Sequence, residues 1–476
     1  MEVEAEVLEP LELRFTDLLL LSSPSSMASC SPDDGDEHQR LQSLSAAVML
    51  ALGPSGPGLL SITGVPRAPA LRRALLPLSR KLALLDNKVR ARILKDHGLG
   101  SDVPLKKPDR SVSSFATQLK YEQHGKLELS CRGADNADGG DSTRKEGLDT
   151  YSSLEVNDDD FKHLGDTFKE LGLYMMGLGL RLAQVCDKAI GGRELEESVM
   201  GSGTAKGRLI HYHSKLDSVI LKDGNRKVNG GVLDTPGPLL YHGVEGSLPQ
   251  VPMEPCPLRN RMFDGHCCRA SLANLWQQWH YDYGIFTVLT APMFLSSCQA
   301  GDCFCDSSHQ ECLSRAGHTY LQLFDSDKSK ILVLKSPPES FIIQVGESAD
   351  ILSRGKLRSS LHSVSRPVGL DNLSRETFVV FLQPAWNKVL SLPECLLHAN
   401  HERVLSGKRM PKSCKEDNIL SSAAIVSDES PHQSLQEIWR TIPPLSSRLR
   451  DGMTFAEFSR ETTKQYYGAS GTQSQR

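Results

Sequence analysis

The residues best suited to metal chemistry in this chain lie in QQWHYDYGIFTVLTAP, residues 277–292. His280 and Asp282 stand two positions apart in a run that is typical of a β-strand. Because side chains alternate across a strand, residues i and i+2 face the same side, so this imidazole and carboxylate can bind one metal ion. His362, in the later strand-like run SSLHSVSRP, is the best candidate for a third ligand.

Two histidines and one carboxylate on one face of an iron ion leave positions open for a cosubstrate and O₂. Imidazole and carboxylate ligands suit Fe(II), whereas a cysteine-rich set favours zinc. We therefore predict a non-haem Fe(II) site formed by His280, Asp282 and His362. The alternative is that His280 and Asp282 form an exposed polar pair at a strand edge, and that His362 is an ordinary core histidine.

A third strand-like run carries Arg375 and Thr377, again at spacing i, i+2. An arginine binds a carboxylate through two parallel hydrogen bonds, and the threonine hydroxyl donates a third. The pair is therefore suited to anchor the distal carboxylate of a 2-oxo diacid. Alternatively, Arg375 forms an ion pair with Glu376 or with another surface carboxylate.

Thiols and one imidazole are clustered between the second and third predicted iron ligands, at the spacing C-x4-C-x-C-x3-H-x2-C. The cluster comprises Cys298, Cys303, Cys305, His309 and Cys312. It has enough ligands for a tetrahedral, structural zinc ion. We favour a flexible loop with reduced cysteines, because the spacing matches no standard zinc finger.

The elements that must position these residues divide the chain into four regions. Residues 1–45 form an N-terminal strand and loop, 46–200 a helical region, 201–390 a β-rich core with a Cys-rich insertion at about 296–316, and 391–476 a polar segment with a C-terminal helix at about 454–467. In the core, short strand-like runs separated by turns predict a β-sandwich or barrel. The runs are RLIHYHS, FTVLTAPMFL, TYLQLFD, KILVLK, SFIIQVGE, SLHSVSRP and TFVVFLQP.

Two predictions concern local structure in the first hundred residues. The run PLELRFTDLLLLSS, residues 9–22, predicts a short strand followed by a turn. The helical pattern from 68 to 99 is expected to be kinked or divided at Pro77, because proline removes a hydrogen-bond donor and clashes with the preceding turn.

Composition excludes several classes of protein. The 476 residues are 39% hydrophobic and 24% charged, with a formal net charge of −4, which is an ordinary globular mixture without the basic character of a nucleic-acid binder. The acidic start MEVEAEVLEP lacks the basic region of a secretory signal, and the apolar run 18–21 is too short to span a membrane. We expect a monomer in the cytoplasm, with the nucleus as an additional location, twelve reduced cysteines, and no nucleic-acid or membrane partner.

The order of these motifs resembles the plant 2-oxoglutarate and Fe(II)-dependent dioxygenases, in particular the isopenicillin N synthase-like group. The family's H-x-D, distal histidine and R-x-S correspond to His280-Tyr281-Asp282, His362 and Arg375-Glu376-Thr377. The segment SFIIQVGESADILSRGKLRSSLHSV, residues 340–364, is similar to the family's strand, V-G-[DE] turn and S-[NR]-G before the distal histidine, and GLLSITGVP, residues 58–66, to its N-terminal strand. The resemblance covers about residues 46–390.

Three departures from the family pattern qualify this resemblance. Thr377 replaces the usual serine but keeps a hydroxyl group. Tyr212, in the run IHYH of residues 210–213, is a candidate equivalent of the tyrosine that touches the 2-oxo acid in the family's N-Y-Y-P segment. The Cys-rich insertion leaves the substrate open.

The resemblance implies a mainly β fold with helical additions, a double-stranded β-helix (jelly roll) with N-terminal helices packed on it. It also implies an oxidoreductase that binds Fe(II) and 2-oxoglutarate, with Arg375, Thr377 and Tyr212 at the cosubstrate. Such an enzyme uses O₂ to hydroxylate or desaturate a small organic substrate, releasing succinate and CO₂. The alternatives are an oxidase of the same fold that needs no 2-oxoglutarate, and a catalytically idle jelly roll that serves as a binding or scaffolding module.

Overall fold

The fold of the chain is given by a computed structural model. This structure describes residues 2–23, 35–105, 107, 110–121, 158–229, 268–296, 310–311, 317–367, 369–391, 438 and 440–467. The predicted zinc ligands Cys298, Cys303, Cys305, His309 and Cys312 lie outside these residues.

The described residues form seventeen strands and ten α-helices. The strands are β1 (Glu2–Leu8), β2 (Glu12–Arg14), β3 (Leu59–Thr63), β4 (Val112–Lys120), β5 (Thr204–Tyr212), β6 (Cys268–Ser271), β7 (Leu275–His280), β8 (Phe286–Thr290), β9 (Met293–Ser296), β10 (Gln310–Glu311), β11 (His318–Asp325), β12 (Lys330–Lys335), β13 (Phe341–Val345), β14 (His362–Ser365), β15 (Leu373–Leu382), β16 (Val389–Leu390) and β17 (Met453–Thr454). The helices are α1 (Phe15–Ser22), α2 (Gly35–Leu52), α3 (Ala68–Leu84), α4 (Asn87–Asp96), α5 (Leu164–Ile190), α6 (Glu194–Ser202), α7 (Lys215–Asn229), α8 (Glu347–Leu352), α9 (Leu445–Arg448) and α10 (Phe455–Tyr467).

Two large sheets contain most of the strands. The first, called here the minor sheet, has the order β6-β1-β12-β11-β14-β7. The second, the major sheet, has the order β10-β9-β15-β8-β13-β3-β2, and β5 and β4 extend it from β15. From β5 to β15 the chain crosses between the sheets several times, so that β5, β8, β13 and β15 lie in one and β7, β11, β12 and β14 in the other. This two-sheet, eight-stranded arrangement is a jelly roll and confirms the predicted fold class.

Apolar side chains from the two sheets fill the space between them. The major sheet contributes Leu59, Ile210, Leu289, Ile342 and Val379, and the minor sheet contributes Trp276, Leu321, Leu323, Leu334 and Val364. These residues alternate along their strands with residues that face outward, as period-2 strands require. The interior of the jelly roll is therefore a packed core, and polar side chains inside it need a specific reason to be there.

The outer face of the major sheet is covered by helices, chiefly α3 and α5. The 27-residue helix α5 buries Leu164, Phe168, Leu171 and Met175 at helical spacing against this sheet. Gly179 allows the close approach, because a Cβ atom there would lie 2.7 Å from a methyl group of Leu382 on β15. The predicted helices at the N-terminal side of the core are thus packed on one face of the jelly roll.

The N-terminal residues differ from the sequence-based predictions in two respects. Residues 2–8, which were not predicted as an element, form β1 and pair with β12 and β6. The turn predicted after the short strand β2 is instead α1, because Phe15, Leu18 and Leu21 recur at helical spacing and are buried in the helical layer.

The helical run was predicted to be kinked or divided at Pro77, and it is not divided there. Helix α3 continues through Pro77, and the break comes at Leu85–Asp86. There the Asp86 side chain accepts a hydrogen bond from the backbone N–H of Lys88, which makes Asp86 the N-cap of α4. A favourable cap, rather than the proline, thus decides where the helical run is divided.

Within the described residues, none of the helices combines the length and the apolar character that a membrane crossing requires.

Candidate metal centre

The first two predicted ligands lie where β7 ends. His280 is the last residue of β7, and Asp282 follows in the turn that leads to β8. Both side chains are 13% exposed, and Nε2 of His280 lies 3.7 Å from Oδ1 of Asp282. The spacing i, i+2 therefore directs both groups to one place, although only the histidine belongs to the strand.

The third ligand, His362, begins β14, the neighbour of β7 in the minor sheet. Its Cα is paired directly with that of His280, and the two imidazole ring centres are 4.3 Å apart. Nε2 of His362 lies 3.8 Å from Oδ2 of Asp282. Strand pairing thus brings together three donor atoms that all lie within 4.8 Å of one another.

Hydrogen bonds on the far side of each ligand orient it toward this point. Nδ1 of His280 donates to the Gln278 carbonyl at 2.8 Å, and Nδ1 of His362 donates to the Ser360 carbonyl at 3.1 Å. With the proton on Nδ1, each Nε2 presents a lone pair, which is the tautomer that binds a metal ion. Thr287 donates to Oδ2 of Asp282 at 2.6 Å and fixes the carboxylate.

The donor set fits a divalent transition-metal ion such as Fe(II). Metal–ligand bonds of about 2.1 Å to imidazole and carboxylate allow donors of one ion to lie up to about 4.2 Å apart. Both measured N–O separations are shorter than this limit. Burial, followed by the nearby His362, lowers the pKa of His280 to about 4, so its imidazole is neutral at physiological pH.

The turn after β13 holds Asp282 from the backbone. The N–H of Glu347 donates to the Asp282 carbonyl at 2.8 Å, and the N–H of Gly346 donates to the Ile285 carbonyl at 2.9 Å. A Cβ atom on residue 346 would lie 2.3 Å from the Gly284 carbonyl oxygen, so only glycine fits. This contact gives a physical reason for the V-G-E sequence at residues 345–347.

Arg375 lies on the inner face of the major sheet. It is 2% exposed, and its Nε donates to the Thr319 carbonyl at 3.0 Å. Its guanidinium carbon lies 5.1 Å from the ring centre of Tyr212, which is the Cα partner of Arg375 across β5 and β15. Among the described residues, Arg375 has no carboxylate within 4.0 Å and uses only Nε as a donor. Burial lowers its pKa.

Thr377 and Tyr212 share this inner face. Thr377 donates to the Thr290 carbonyl at 3.3 Å, a long bond that leaves the hydroxyl free to exchange partners. Tyr212 packs on Trp276, and burial raises the pKa of its phenol. The structure therefore places all three predicted cosubstrate residues on the interior side of β5 and β15.

Some residues of the site were not found by sequence reasoning. Gln344 faces the jelly-roll interior opposite Thr287, is 1% exposed, and neither atom of its amide has a hydrogen-bond partner among the described residues. The C-terminal helix α10 reaches the H-x-D turn, where the Tyr466 hydroxyl accepts from the Tyr281 N–H at 3.3 Å. Only the fold could place α10 there, although its presence was predicted.

A buried ion pair fastens the C-terminal segment to the site. Arg448 donates to Glu347 at 2.7 Å, and Glu347 is the residue whose N–H holds the Asp282 carbonyl. Residues 438–467 also pack apolar side chains against Trp279, Tyr281 and Tyr283. The C-terminal segment thus forms one wall beside the metal centre.

Comparisons with known proteins add little to this geometry. No protein-family model and no curated protein matches the sequence. Among solved structures, a Neurospora crassa protein in complex with alpha-KG and 5-formyluracil is 13% identical over 80% of this chain and 86% of its own, with a TM-score of 0.42. JOX2 in complex with 2OG, Fe and JA is 14% identical over 99% and 88%, with a TM-score of 0.44.

A dioxygenase for auxin oxidation in rice is also similar, with 14% identity over 84% of this chain and 96% of its own and a TM-score of 0.41. At such identities and scores, these likenesses do not determine the reaction or substrate of this chain. The functional argument therefore depends on the side chains described above.

Proposed function

We propose that the protein is a non-haem Fe(II) and 2-oxoglutarate-dependent dioxygenase that hydroxylates or desaturates a small organic substrate and releases succinate and CO₂. The observation that carries the proposal is the convergence of His280, Asp282 and His362, with both Nε2 atoms directed at the carboxylate. Iron bound there would supply the activation of O₂.

The buried guanidinium of Arg375 supports 2-oxoglutarate as the cosubstrate. A buried charge without a counter-ion is costly, and a carboxylate from a ligand would remove that cost. The two terminal nitrogens of Arg375, Nη1 and Nη2, have no partner among the described residues and can hold the distal carboxylate of a 2-oxo diacid through two hydrogen bonds, with Thr377 and Tyr212 beside it. This feature favours a 2-oxoglutarate enzyme over an oxidase of the same fold that needs no cosubstrate.

The remaining residues would orient the reactants. Thr287 holds the Asp282 carboxylate, and the carbonyls of Gln278 and Ser360 hold the two imidazoles. Trp276 and Val364, on the strands that carry the two histidines, belong to the packed apolar interior and limit water on that side of the metal. In this proposal the protein fixes geometry and excludes water, while the metal supplies the redox chemistry.

Anaerobic titration with Fe(II), with and without 2-oxoglutarate, tests the proposal. The readout is the visible charge-transfer band of the iron chelate with the 2-oxo acid. We expect one equivalent of iron and a band in the wild type, and loss of both when His280→Ala is combined with Asp282→Ala. The matched control is His163→Ala with Asp166→Ala, which changes an exposed histidine and aspartate near the start of α5.

Each outcome has a distinct meaning. Iron binding without a band would remove 2-oxoglutarate and favour the oxidase. A chain that folds but binds no stoichiometric iron would overturn the enzyme proposal and leave a binding or scaffolding module. Equal loss of the band in the control pair would show that the effect is not specific to the site.

A further inference from the structure

A second cluster of titratable side chains lies on the opposite face of the strands that carry the cosubstrate residues. Nδ1 of His211 on β5 donates to Glu376 on β15, at 2.8 Å from Oε2 and 3.0 Å from Oε1. His211 and Glu376 are direct Cα partners across the two strands. Both side chains are fully buried, beneath α3 and α7.

Side chains on α3 and α7 contact this pair from the helical layer. Ser79 on α3 donates to Oε2 of Glu376 at 2.6 Å, and Ser374 donates to Oε1 at 2.7 Å. On its other side, Nε2 of His211 lies 3.5 Å from Oδ2 of Asp217 on α7, within ion-pair distance. Arg80 on α3 donates to Oδ1 of Asp217 at 2.7 Å.

The carboxyl groups around His211 favour its protonated form. Glu376 and Asp217 flank the imidazole, and Arg80 pairs with Asp217. A positive charge on His211 gives the buried Glu376 a partner as well. Burial alone lowers the pKa of His211, but the charge and hydrogen bond of Glu376, together with the charge of Asp217, outweigh it and raise the pKa to about 9.

Three titratable groups contact His211 from the elements packed around it: Glu376 on β15, Asp217 on α7 and His213 just beyond β5, with Arg80 on α3 behind Asp217. Arg110 lies beyond His213 and acts on that residue. The neighbouring His213 stays neutral, because burial and then the charge of His211 hold its pKa well below the usual range.

The cluster could in principle hold a metal ion, since ligand atoms of His211, His213 and Asp217 lie within 4.8 Å of one another. Asp217 argues against this. Its Oδ1 accepts from Nε and Nη2 of Arg80, and its Oδ2 accepts from both the N–H and the hydroxyl of Ser214. Four hydrogen bonds leave no lone pair of this carboxylate free for a metal.

The register connects the cluster to the cosubstrate site. The pair His211–Glu376 stands one position along the strands from the pair Tyr212–Arg375. Because side chains alternate, the first pair faces the helices and the second faces the interior. We propose that the buried ion pair of His211 and Glu376 positions Tyr212 and Arg375 for the distal carboxylate of 2-oxoglutarate, an inference that rests on the proposed function.

The test measures the Kd for 2-oxoglutarate in the iron-loaded protein, from the charge-transfer band, for wild type and Glu376→Gln. Glutamine keeps the shape but removes the charge. We expect the Kd to rise about tenfold or more, as is typical when a supporting residue is changed, with iron still bound at one equivalent. Ser79→Ala removes a single hydrogen bond from α3 and should give a smaller shift in the same direction. The control is Asp187→Asn, a buried carboxylate that caps α6.

A pH profile separates positioning from general damage. The pKa of His211 is raised to about 9 in the folded chain, so the ion pair is intact at neutral pH and is lost as pH rises through about 9. The wild-type Kd should therefore increase as pH rises through about 9, and the Glu376→Gln profile should be flat. His211→Asn should reproduce the weak binding at every pH.

The outcomes distinguish this inference from the proposed function. A band in the wild type with an unchanged Kd in Glu376→Gln would overturn the positioning role alone. A second equivalent of metal that disappears in His213→Ala would replace the ion pair by a metal site. Absence of a band in the wild type would overturn both proposals.

Discussion

Replacing Arg375 by methionine should weaken cosubstrate binding without destabilising the protein. The guanidinium is buried, contacts no carboxylate among the described residues, and makes one hydrogen bond, to Thr319. A charge-assisted hydrogen bond contributes about 1.5–3 kcal/mol, so loss of two such bonds to 2-oxoglutarate costs about 3–6 kcal/mol. At about 1.4 kcal/mol for each tenfold change, the Kd should rise by about 10²- to 10⁴-fold.

The stability of the ligand-free protein should change in the other direction or hardly at all. Methionine removes a buried charge that pairs with no carboxylate in the described part of the chain, and it keeps most of the side-chain volume. The lost bond to the Thr319 carbonyl and the lost contact with Tyr212 each oppose this gain by about 1 kcal/mol. We expect a free energy of unfolding within about 1 kcal/mol of wild type or higher, because apolar replacements of buried charges are often neutral or stabilising.

Arg448→Met is the matched control. Arg448 is equally buried, but it is paired with Glu347. Breaking that pair leaves a buried carboxylate and should cost about 3–5 kcal/mol. Chemical denaturation of both variants without ligand, together with the 2-oxoglutarate titration, measures both effects. If Arg375→Met unfolded as readily as Arg448→Met, or bound 2-oxoglutarate normally, the assignment of Arg375 as a carboxylate anchor would be wrong.

Three further predictions concern the metal centre. Thr287→Val removes the hydrogen bond to Asp282 and should raise the Kd for Fe(II) about tenfold, measured by anaerobic competition with a chelator, whereas Thr290→Val should not. The pKa of His280 is lowered to about 4 in the folded chain, so the free energy of unfolding without metal should fall as pH drops from about 6.5 to about 4. A His280→Asn variant that kept the same acid dependence would contradict this. Gly346→Ala places a Cβ 2.3 Å from the Gly284 carbonyl oxygen and should lower the free energy of unfolding by about 1–3 kcal/mol or more, measured by chemical denaturation, and weaken iron binding. Gly192→Ala, where the added Cβ meets no atom within 4 Å, should leave both nearly unchanged.

Local patterns in the sequence predicted much of the core, and the reason is that strands bury alternate residues. The runs that became β5, β8, β11, β12, β13, β14 and β15 were all identified, and so were the histidines and the aspartate that meet at the metal centre. Residues 2–8 were missed, since their glutamates suggested an acidic terminus. In these residues apolar and acidic side chains alternate, and Val3 and Ala5 are buried. The alternation indicates a strand only once the pairing with β12 is known.

Long-range contacts explain the rest. No local pattern indicates that Tyr466 meets the backbone of Tyr281, or that His211 pairs with Glu376 beneath the helices. The division expected at Pro77 comes instead before the cap at Asp86. The role of the C-terminal segment depends on its packing against the metal centre. The spacing of residues in the sequence carries no information about that contact.

The pairing of β1 with β12 has a consequence for the order of folding. During synthesis, Ala5 must wait for Ile331 before its strand has a parallel partner, and His280 must wait for His362. Contacts between residues so distant in sequence make folding slow and leave strand edges exposed in the meantime. The helical layer can assemble first from nearer contacts, such as those of α3 with α5. The strand edges of β1 and β7 that β12 and β14 cover therefore stay unpaired until those later strands have left the ribosome.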